Sequence, residues 1–451
     1  MERENSRAGT GLAWNPELHN LKLLYAIYVF LIYSLYIMPQ YFGIRLGVDI
    51  TCTRLANIMI LLYMLFSTKM FTHFFKISVG CSILYPLLLY LAVTGYTMVL
   101  RVDINAFFMP FIEVLTLFML IYGIRYVVGY KRALRWSIHC AYFLGVYGLI
   151  EFVCGESLFL KFLSTVPNNV SNFYRSGQYR IMGPCGHSLG YGLLLLIFMA
   201  IASYDEEHDE LDLFKRPALM LLLYLNIFLT GSRSSLALAV LETVIIIVLS
   251  RKDKVKKALV YLGIILVAGV CMLFLLYETS IGQYAMGQIA SVVDTVLGTE
   301  YAANYGIDTE RLEDSSAYRE ALPYIFTLDW LNPLVGRGMS GFNGAEINGV
   351  FIHSIDHYYV MQYIKYAYPG LITYLLFMLV FFLEIVHDII KNKSGIAKMV
   401  LVASFIYFLN LIWVDALQTL KFIYTLIAIY YAYRMTVKAT VTLTATDKEV
   451  E

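Results

Sequence analysis

Charge is scarce in this chain of 451 residues. Asp, Glu, Lys and Arg together make up 15% of it, whereas a soluble domain carries about a quarter. The formal net charge is +1, which argues against a nucleic-acid partner, because affinity for phosphate backbones comes from a concentrated basic surface. Six cysteines (Cys52, Cys81, Cys140, Cys154, Cys185 and Cys271) show no metal-ligand spacing. Most lie inside apolar runs and read as buried free thiols, although Cys154 and Cys185 flank one connection and could pair. The first twenty residues are polar and lack an apolar h-region, so no cleavable signal peptide is expected before the first apolar run. The short alternating segments of a membrane barrel are not evident. No internal repeat is seen, which weakens an inverted-repeat transporter fold.

Apolar sequence fills the space that charge leaves. Hydrophobic residues make up 59% of the chain, and windows of about twenty apolar residues recur along its whole length. The expected fold class is therefore all-α, a polytopic membrane protein of about twelve transmembrane helices. The candidate spans are 21–38, 51–66, 77–100, 104–121, 136–154 and 187–203, then 217–230, 233–250, 258–277, 367–386, 397–413 and 416–433. One large external loop is expected between the ninth and tenth. The implied domain organisation is a cytoplasmic tail at 1–20, helices one to nine at 21–277, the loop at 278–356, helices ten to twelve at 357–435, and a polar tail at 436–451.

Basic residues set the orientation. Lys69 and Lys76 fall on one side, with Arg125, Lys131, Arg132 and Arg135, Lys215 and Arg216, the run from Arg251 to Lys257, and Lys391, Lys393 and Lys398. The short turns of the other side hold mostly single arginines: Arg45, Arg101 and Arg233. Both termini are accordingly expected in the cytoplasm. The Gly155–Gly186 connection, the Gly231–Ser235 turn and the long 277–357 segment are expected to face outward.

These outward segments concentrate the chemistry. Arg175 and Arg180 precede the sixth span, Arg233 sits in a tight turn of small hydroxylated residues, and Arg311, Arg319 and Arg337 lie in the long loop. Arginine stays charged beside a membrane and grips phosphate oxygens bidentately. Several arginines converging at the outer leaflet would suit a lipid-linked diphosphate, whose charge grows as its sugar departs. The alternative for any one of them is an interfacial residue with its stem in lipid. Arg233 has the stronger functional setting, since its turn offers hydroxyls and helix N-terminal amides. Arg45, Arg54 and Arg101 read as topology or packing residues.

His353, Asp356 and His357 place three titratable groups within five residues before a span, which fits a general base acting on an acceptor hydroxyl. Helix capping by histidine is the structural alternative. Two histidines at this spacing find no further ligand motif, so no metal is expected. Glu320, beside Arg319, is a second candidate base or an ion-pair partner. Glu113, Glu151, Glu242 and Glu384 lie within or near spans, where a carboxylate is costly enough to be a functional suspect. Glu113 and Glu242 could equally serve a proton-coupled transporter or bridge helices.

Four pieces of sequence resemble the bacterial O-antigen ligase and polymerase superfamily. They are Arg180-Ile-Met-Gly-Pro-Cys-Gly-His, Thr230-Gly-Ser-Arg-Ser-Ser, Ser316-Ala-Tyr-Arg-Glu with Asn332-Pro-Leu-Val-Gly-Arg-Gly, and Asp356-His-Tyr-Tyr-Val-Met-Gln-Tyr-Ile-Lys-Tyr-Ala-Tyr-Pro-Gly. The resemblance covers roughly residues 145–382. The family's closing stretch usually carries asparagine where His357 stands, which leaves the choice of base open.

The resemblance implies a GT-C-like membrane glycosyltransferase of the bacterial plasma (inner) membrane. It would be metal-independent and need no cofactor, and it would act outside the membrane on a polyprenyl-diphosphate-linked oligosaccharide. A polymerase of O-antigen, capsule or exopolysaccharide would move the glycan onto a new lipid-linked repeat unit; a ligase would use another acceptor. Arg180, Arg233 and Arg319 are first choices for the diphosphate, then Arg175, Arg311 and Arg337. Besides the substrate and membrane lipid, a chain-length regulator and a flippase are candidate partners. The absence of a glycine-rich phosphate cradle or Rossmann-like unit agrees with a donor that is not a nucleotide sugar. Tyrosines near the loop, such as Tyr318 and Tyr358, could stack on sugar rings. The competing classes are a polysaccharide flippase or other secondary transporter, and a non-catalytic scaffold.

Overall fold

The computed structural model describes residues 18–46, 48–168, 170–175, 178–305, 318–340, 342, 344–347, 349–352 and 355–450. It is a bundle of helices. In chain order these are α1 (Leu18–Ile37), α2 (Cys52–Leu65), α3 (Thr68–Val79), α4 (Leu84–Arg101), α5 (Asn105–Gly123) and α6 (Tyr130–Cys154). There follow α7 (Leu158–Leu163), α8 (Ser188–Ser203), α9 (Pro217–Leu229), α10 (Arg233–Leu249), α11 (Lys252–Leu275) and α12 (Ser280–Leu297). The last three are α13 (Tyr358–Asn392), α14 (Gly395–Asn410) and α15 (Leu420–Val450), the last of which continues through the segment expected as a polar tail.

Each candidate span overlaps one of these helices, and 77–100 takes in the end of α3 as well as most of α4. Among the described residues, five helices (α4, α5 with its π-turn to Val128, α6, α11 and α13) are long and apolar enough to cross a membrane by length and composition. The pair α2 and α3, bent by 113°, counts as a sixth if it is one broken span. Four shorter apolar stretches (22–37, 188–203, 217–229 and 395–410) accompany them.

Burial follows the residue pattern. Helix α8 is apolar on every side and almost wholly buried, as a helix without a polar face must be. It packs against α6, α9, α10 and α14. Helix α11 is uncharged and apolar after Lys257, yet Ala258 is its one buried residue, so those side chains are left for lipid. A smaller apolar cluster, including Leu322, Ile325, Ile352 and Ile364, joins the second half of the long loop to the start of α13. Among the described residues four two-stranded hairpins trim the connections; β1 (Gly43–Leu46) pairs with β2 (Val48–Thr51), and β3 (Phe173–Arg175) with β4 (Gln178–Arg180), Tyr174 opposite Tyr179. All six cysteines are free; Cys154 is exposed.

Helix α13 breaks at Ala367, whose φ of 56° and ψ of −164° belong to a region nearly restricted to glycine. In an unbroken helix the Tyr368 amide would donate to the Ile364 carbonyl. Instead Tyr368 N donates to Pro333 O at 3.1 Å, and Ile364 O accepts from Arg337 N at 2.8 Å. The 333–337 segment thus satisfies both halves of the opened bond. Its contact needs Gly336, where an added Cβ would lie 2.0 Å from Lys365 O.

At one end of the bundle Asp205 pairs with Lys215 at 2.8 Å, Asp212 with Lys254 at 2.7 Å, and Arg434 with both Glu384 and Asp388. These are ends expected in the cytoplasm. Glu384, expected near a solvated span end, is thereby held in a network with Arg434 and Tyr431.

Candidate functional site

At the other end of the bundle lies a cavity of about 850 Å³. Its walls come from the connections expected to face outward: Gln40 to Arg54, Val166 to His187, Met339 of the long loop, and Asp415 to Lys421. Turns of α5 (Met109 to Thr116) and the start of α13 (Tyr358 to Tyr366) complete it. The lining mixes apolar residues with tyrosines and side-chain amides, among them Tyr41, Tyr90, Tyr366, Asn57, Gln362 and Gln418. Such surfaces offer flat apolar faces and hydrogen bonds together, as sugars require.

The charged lining is Arg54, Lys365 and Lys421 against Asp49, Glu113 and Asp415, with His187. Lys365 acts electrostatically on both Glu113 and Asp415, so these three form one compensated group. Burial raises the Asp415 carboxyl above its ordinary value and Lys365 opposes that shift. Glu113, suspected from the sequence because of its depth, is therefore a cavity residue.

None of the described arginines that the sequence singled out lines this cavity. Arg180 donates through Nε to Thr230 O at 2.7 Å and packs on Gly231, whose φ of +60° closes the α9–α10 turn. An added Cβ at Gly231 would meet the Arg180 side chain at 3.1 Å. Arg180 and the Arg233 turn are thus one unit, and Arg180 acts electrostatically on His187 of the cavity wall. Arg233 in turn acts on Asp294 of α12. The turn's hydroxyls are partly engaged already: Ser232 caps α10 by accepting from Ser235 N, and its Oγ lies 2.8 Å from Ser235 Oγ.

Arg319 forms a second group. It acts electrostatically on Asp356, whose own amide donates to Tyr318 Oη at 3.1 Å. Burial raises the Asp356 carboxyl above its usual range, Arg319 opposes this, and Asp415 of the cavity adds to it. Glu320 beside it is exposed. Arg337 stacks on Trp330, 4.8 Å from the ring centre, and ties the loop to α13 through its amide. Arg175 has a described backbone in β3, opposite Gln178. Arg311 and His353 lie outside the described residues.

His357 caps α13: its Nδ1 accepts from Val360 N at 3.4 Å. That assignment puts the hydrogen of the neutral ring on Nε2, so the imidazole as placed donates from its free edge. Burial lowers its pKa from the ordinary histidine value. His187 caps α8 in the same way, accepting from Leu189 N at 3.1 Å.

Glu151, another suspect, has a structural task. Its carboxylate accepts from Tyr179 Oη at 2.7 Å, Met182 N at 2.9 Å and Gly183 N at 3.0 Å. It pins the segment that carries Arg180 onto α6. The sequence reading missed Lys421, Lys365, Asp415 and His187, and set Arg54 aside. Their common signal is a polar residue at the outward end of an apolar run. Among the described residues, the one grouping with metal-like spacing is Asp205, His208 and Glu210, whose ligand atoms lie within 4.8 Å. It sits at the far end of the bundle, with Asp205 and Glu210 paired to Lys215 and Arg251.

No curated protein matches this chain. Residues 218–371, from α9 through the Arg233 turn and the long loop into α13, match the family model described as O-antigen ligase. The match supports the superfamily that the sequence resembles.

Proposed function

We propose that this chain, as a ligase- or polymerase-type membrane enzyme of that superfamily, is a polysaccharide polymerase working on the outer face of the plasma membrane. The donor is a glycan on a polyprenyl diphosphate and the acceptor a lipid-linked repeat unit. One observation carries the reading: the Arg180–Arg233 unit and Arg319 with Asp356 are each coupled electrostatically to the wall of one cavity that includes tyrosines and amides, the first through His187 and the second through Asp415. In the reaction an acceptor hydroxyl oxygen bonds to the donor's anomeric carbon as the carbon–oxygen bond to diphosphate breaks. The diphosphate leaves with the bonding electrons, and Arg180, Arg233 and Arg319 stabilise its growing charge. The hydroxyl proton passes to Asp356, whose raised pKa makes it a better base near neutral pH than an ordinary aspartate. No metal is required for these steps. The family description itself favours a second reading, a ligase that uses a different acceptor.

Purified protein incubated with a lipid-linked repeat unit should give a ladder of products spaced by one repeat. A single addition onto another acceptor would indicate the ligase, and unchanged substrate that switches leaflet a flippase. Arg233→Ala and Arg319→Ala should each abolish the ladder while membrane insertion persists; normal ladders from both would remove the arginines from the mechanism.

A pH profile separates the candidate bases. With Asp356 as proton acceptor, activity falls as pH drops through its raised pKa, above the ordinary value of about 3.9. Asp356→Asn should remove most activity. His357→Asn keeps a good helix cap and should stay within about twofold of the parent. Strong loss in His357→Asn with a normal Asp356→Asn would reverse the assignment.

A further inference from the structure

The cavity's three cations face three acids, but the pairing is uneven, because Asp49 pairs with Arg45 outside the lining at 3.9 Å. Lys365 has Glu113 and Asp415, but Lys421 has no carboxylate within ion-pair reach among the described residues, and its electrostatic neighbour is the Cys185 thiol. It lines the cavity from the first turn of α15, with its stem over the Phe422 ring. Arg54, on α2, is held by Asp49 O at 2.7 Å and by Met109 Sδ, and forms no ion pair with a described residue. A cation enclosed in a membrane protein without an acid partner is costly until an anion joins it.

Asn57, one turn after Arg54, adds an independent signal. It is only 9% exposed, lines the cavity, and its Oδ1 accepts no hydrogen bond among the described residues. The orientation of its amide follows from the network. Thr116 Oγ1 gives its hydrogen to Ile112 O at 2.7 Å, so it can only accept from Asn57 Nδ2, at 2.6 Å. The amide oxygen is therefore the free end. A vacant carbonyl calls for a hydroxyl, and the unpaired cations call for an oxyanion. The two together describe one kind of ligand better than a bare phosphate does.

We propose that the cavity binds an acidic sugar residue of the glycan, its carboxylate held by Lys421 and Arg54 and a ring hydroxyl donating to Asn57 Oδ1. This rests on the reading of the cavity as the glycan site and adds a requirement to it: the repeat unit carries a carboxylate. The N-termini of α2, α8 and α15 reach the cavity through Thr53, His187 and Lys421, and their partial positive charge favours the same anion. The arginine groups are left for the diphosphate.

The test is a binding titration on the full-length protein in detergent, with a glucuronate-containing oligosaccharide, its neutral glucose counterpart and inorganic pyrophosphate as probes. The acidic sugar should bind about tenfold or more tightly than the neutral one, as one charge-assisted contact predicts. Lys421→Gln should erase that preference and Lys421→Arg should keep it. Asn57→Ala should weaken both sugars. Equal binding of the acidic and neutral probes, or a preference that survives Lys421→Gln, overturns the proposal. So does pyrophosphate binding more tightly than the acidic sugar in a Lys421-dependent way, which would assign the cavity to phosphate. A ladder made equally well from neutral repeat units sinks this inference alone, whereas no ladder from any repeat unit sinks the functional reading beneath it.

Discussion

Glu151→Ala is expected to destabilise the folded protein by about 3–5 kcal/mol, because it strands three donors that one buried carboxylate now satisfies. Tyr179 Oη, Met182 N and Gly183 N all give their hydrogens to it. Two of these are backbone amides that cannot turn away, and they come directly after Ile181, the residue next to Arg180. Loss of the carboxylate should therefore release Arg180 from Thr230 O and silence polymer formation even where the protein still folds. Glu151→Gln is the informative companion. An amide nitrogen can replace only one oxygen, and the Gly183 amide would then face another donor, at a cost of about 1–3 kcal/mol. Unfolding midpoints in detergent and the product ladder measure both effects. A Glu151→Ala protein that melts and polymerises like the parent would show that the Arg180 segment is held by something else.

The second large effect is expected where the long loop meets α13. Gly336→Ala drives a Cβ to 2.0 Å from Lys365 O, a backbone atom with nowhere to go. The 333–337 segment must lift, which exposes the Ile364 carbonyl and the Tyr368 amide that it now satisfies. It also strips Arg101 of its bond to Gly336 O at 2.7 Å. Overpacking costs about 1–3 kcal/mol, and the opened hydrogen bonds add to it. Lys365 lies on the cavity wall, so activity should fall together with stability. Ala367→Gly should act the other way, relieving a backbone conformation worth about 1–3 kcal/mol of strain while leaving the kink in place. Wild-type stability and activity in Gly336→Ala would mean that the loop does not depend on this crossing, and a damaging Ala367→Gly would mean that the break is not strained.

Hydropathy located the helices well, since each expected span overlaps a helix, and the tenth was expected to begin at Ala367, where α13 breaks. The helix itself starts earlier, at Tyr358, because its first turns are buried against the loop rather than against lipid. Residue type also singled out Arg180, Arg233, Arg319 and Asp356, as charged groups beside apolar runs. What the sequence hid is partnership. Glu151 and Glu113 look alike as acids in apolar runs, yet one is consumed by backbone amides and the other faces a cavity. Lys421 sits at the start of a span, where a lysine ordinarily reaches for the interface. Only its place in the lining of the same cavity as Arg54 and Asn57, far away in the chain, distinguishes it from that.

Helix α9 has 13 residues and so rises about 20 Å, well short of the roughly 30 Å of hydrocarbon in a typical bilayer. Leu221 and Leu225 on it are exposed, so lipid chains must meet this short wall directly. Acyl chains beside a short helix compress, and the leaflets pinch together there. The dimple would form next to the Thr230–Arg233 turn. A carrier lipid drifting into it would have its headgroup lowered toward the guanidinium groups by membrane shape alone, with its long tail still dissolved among its neighbours.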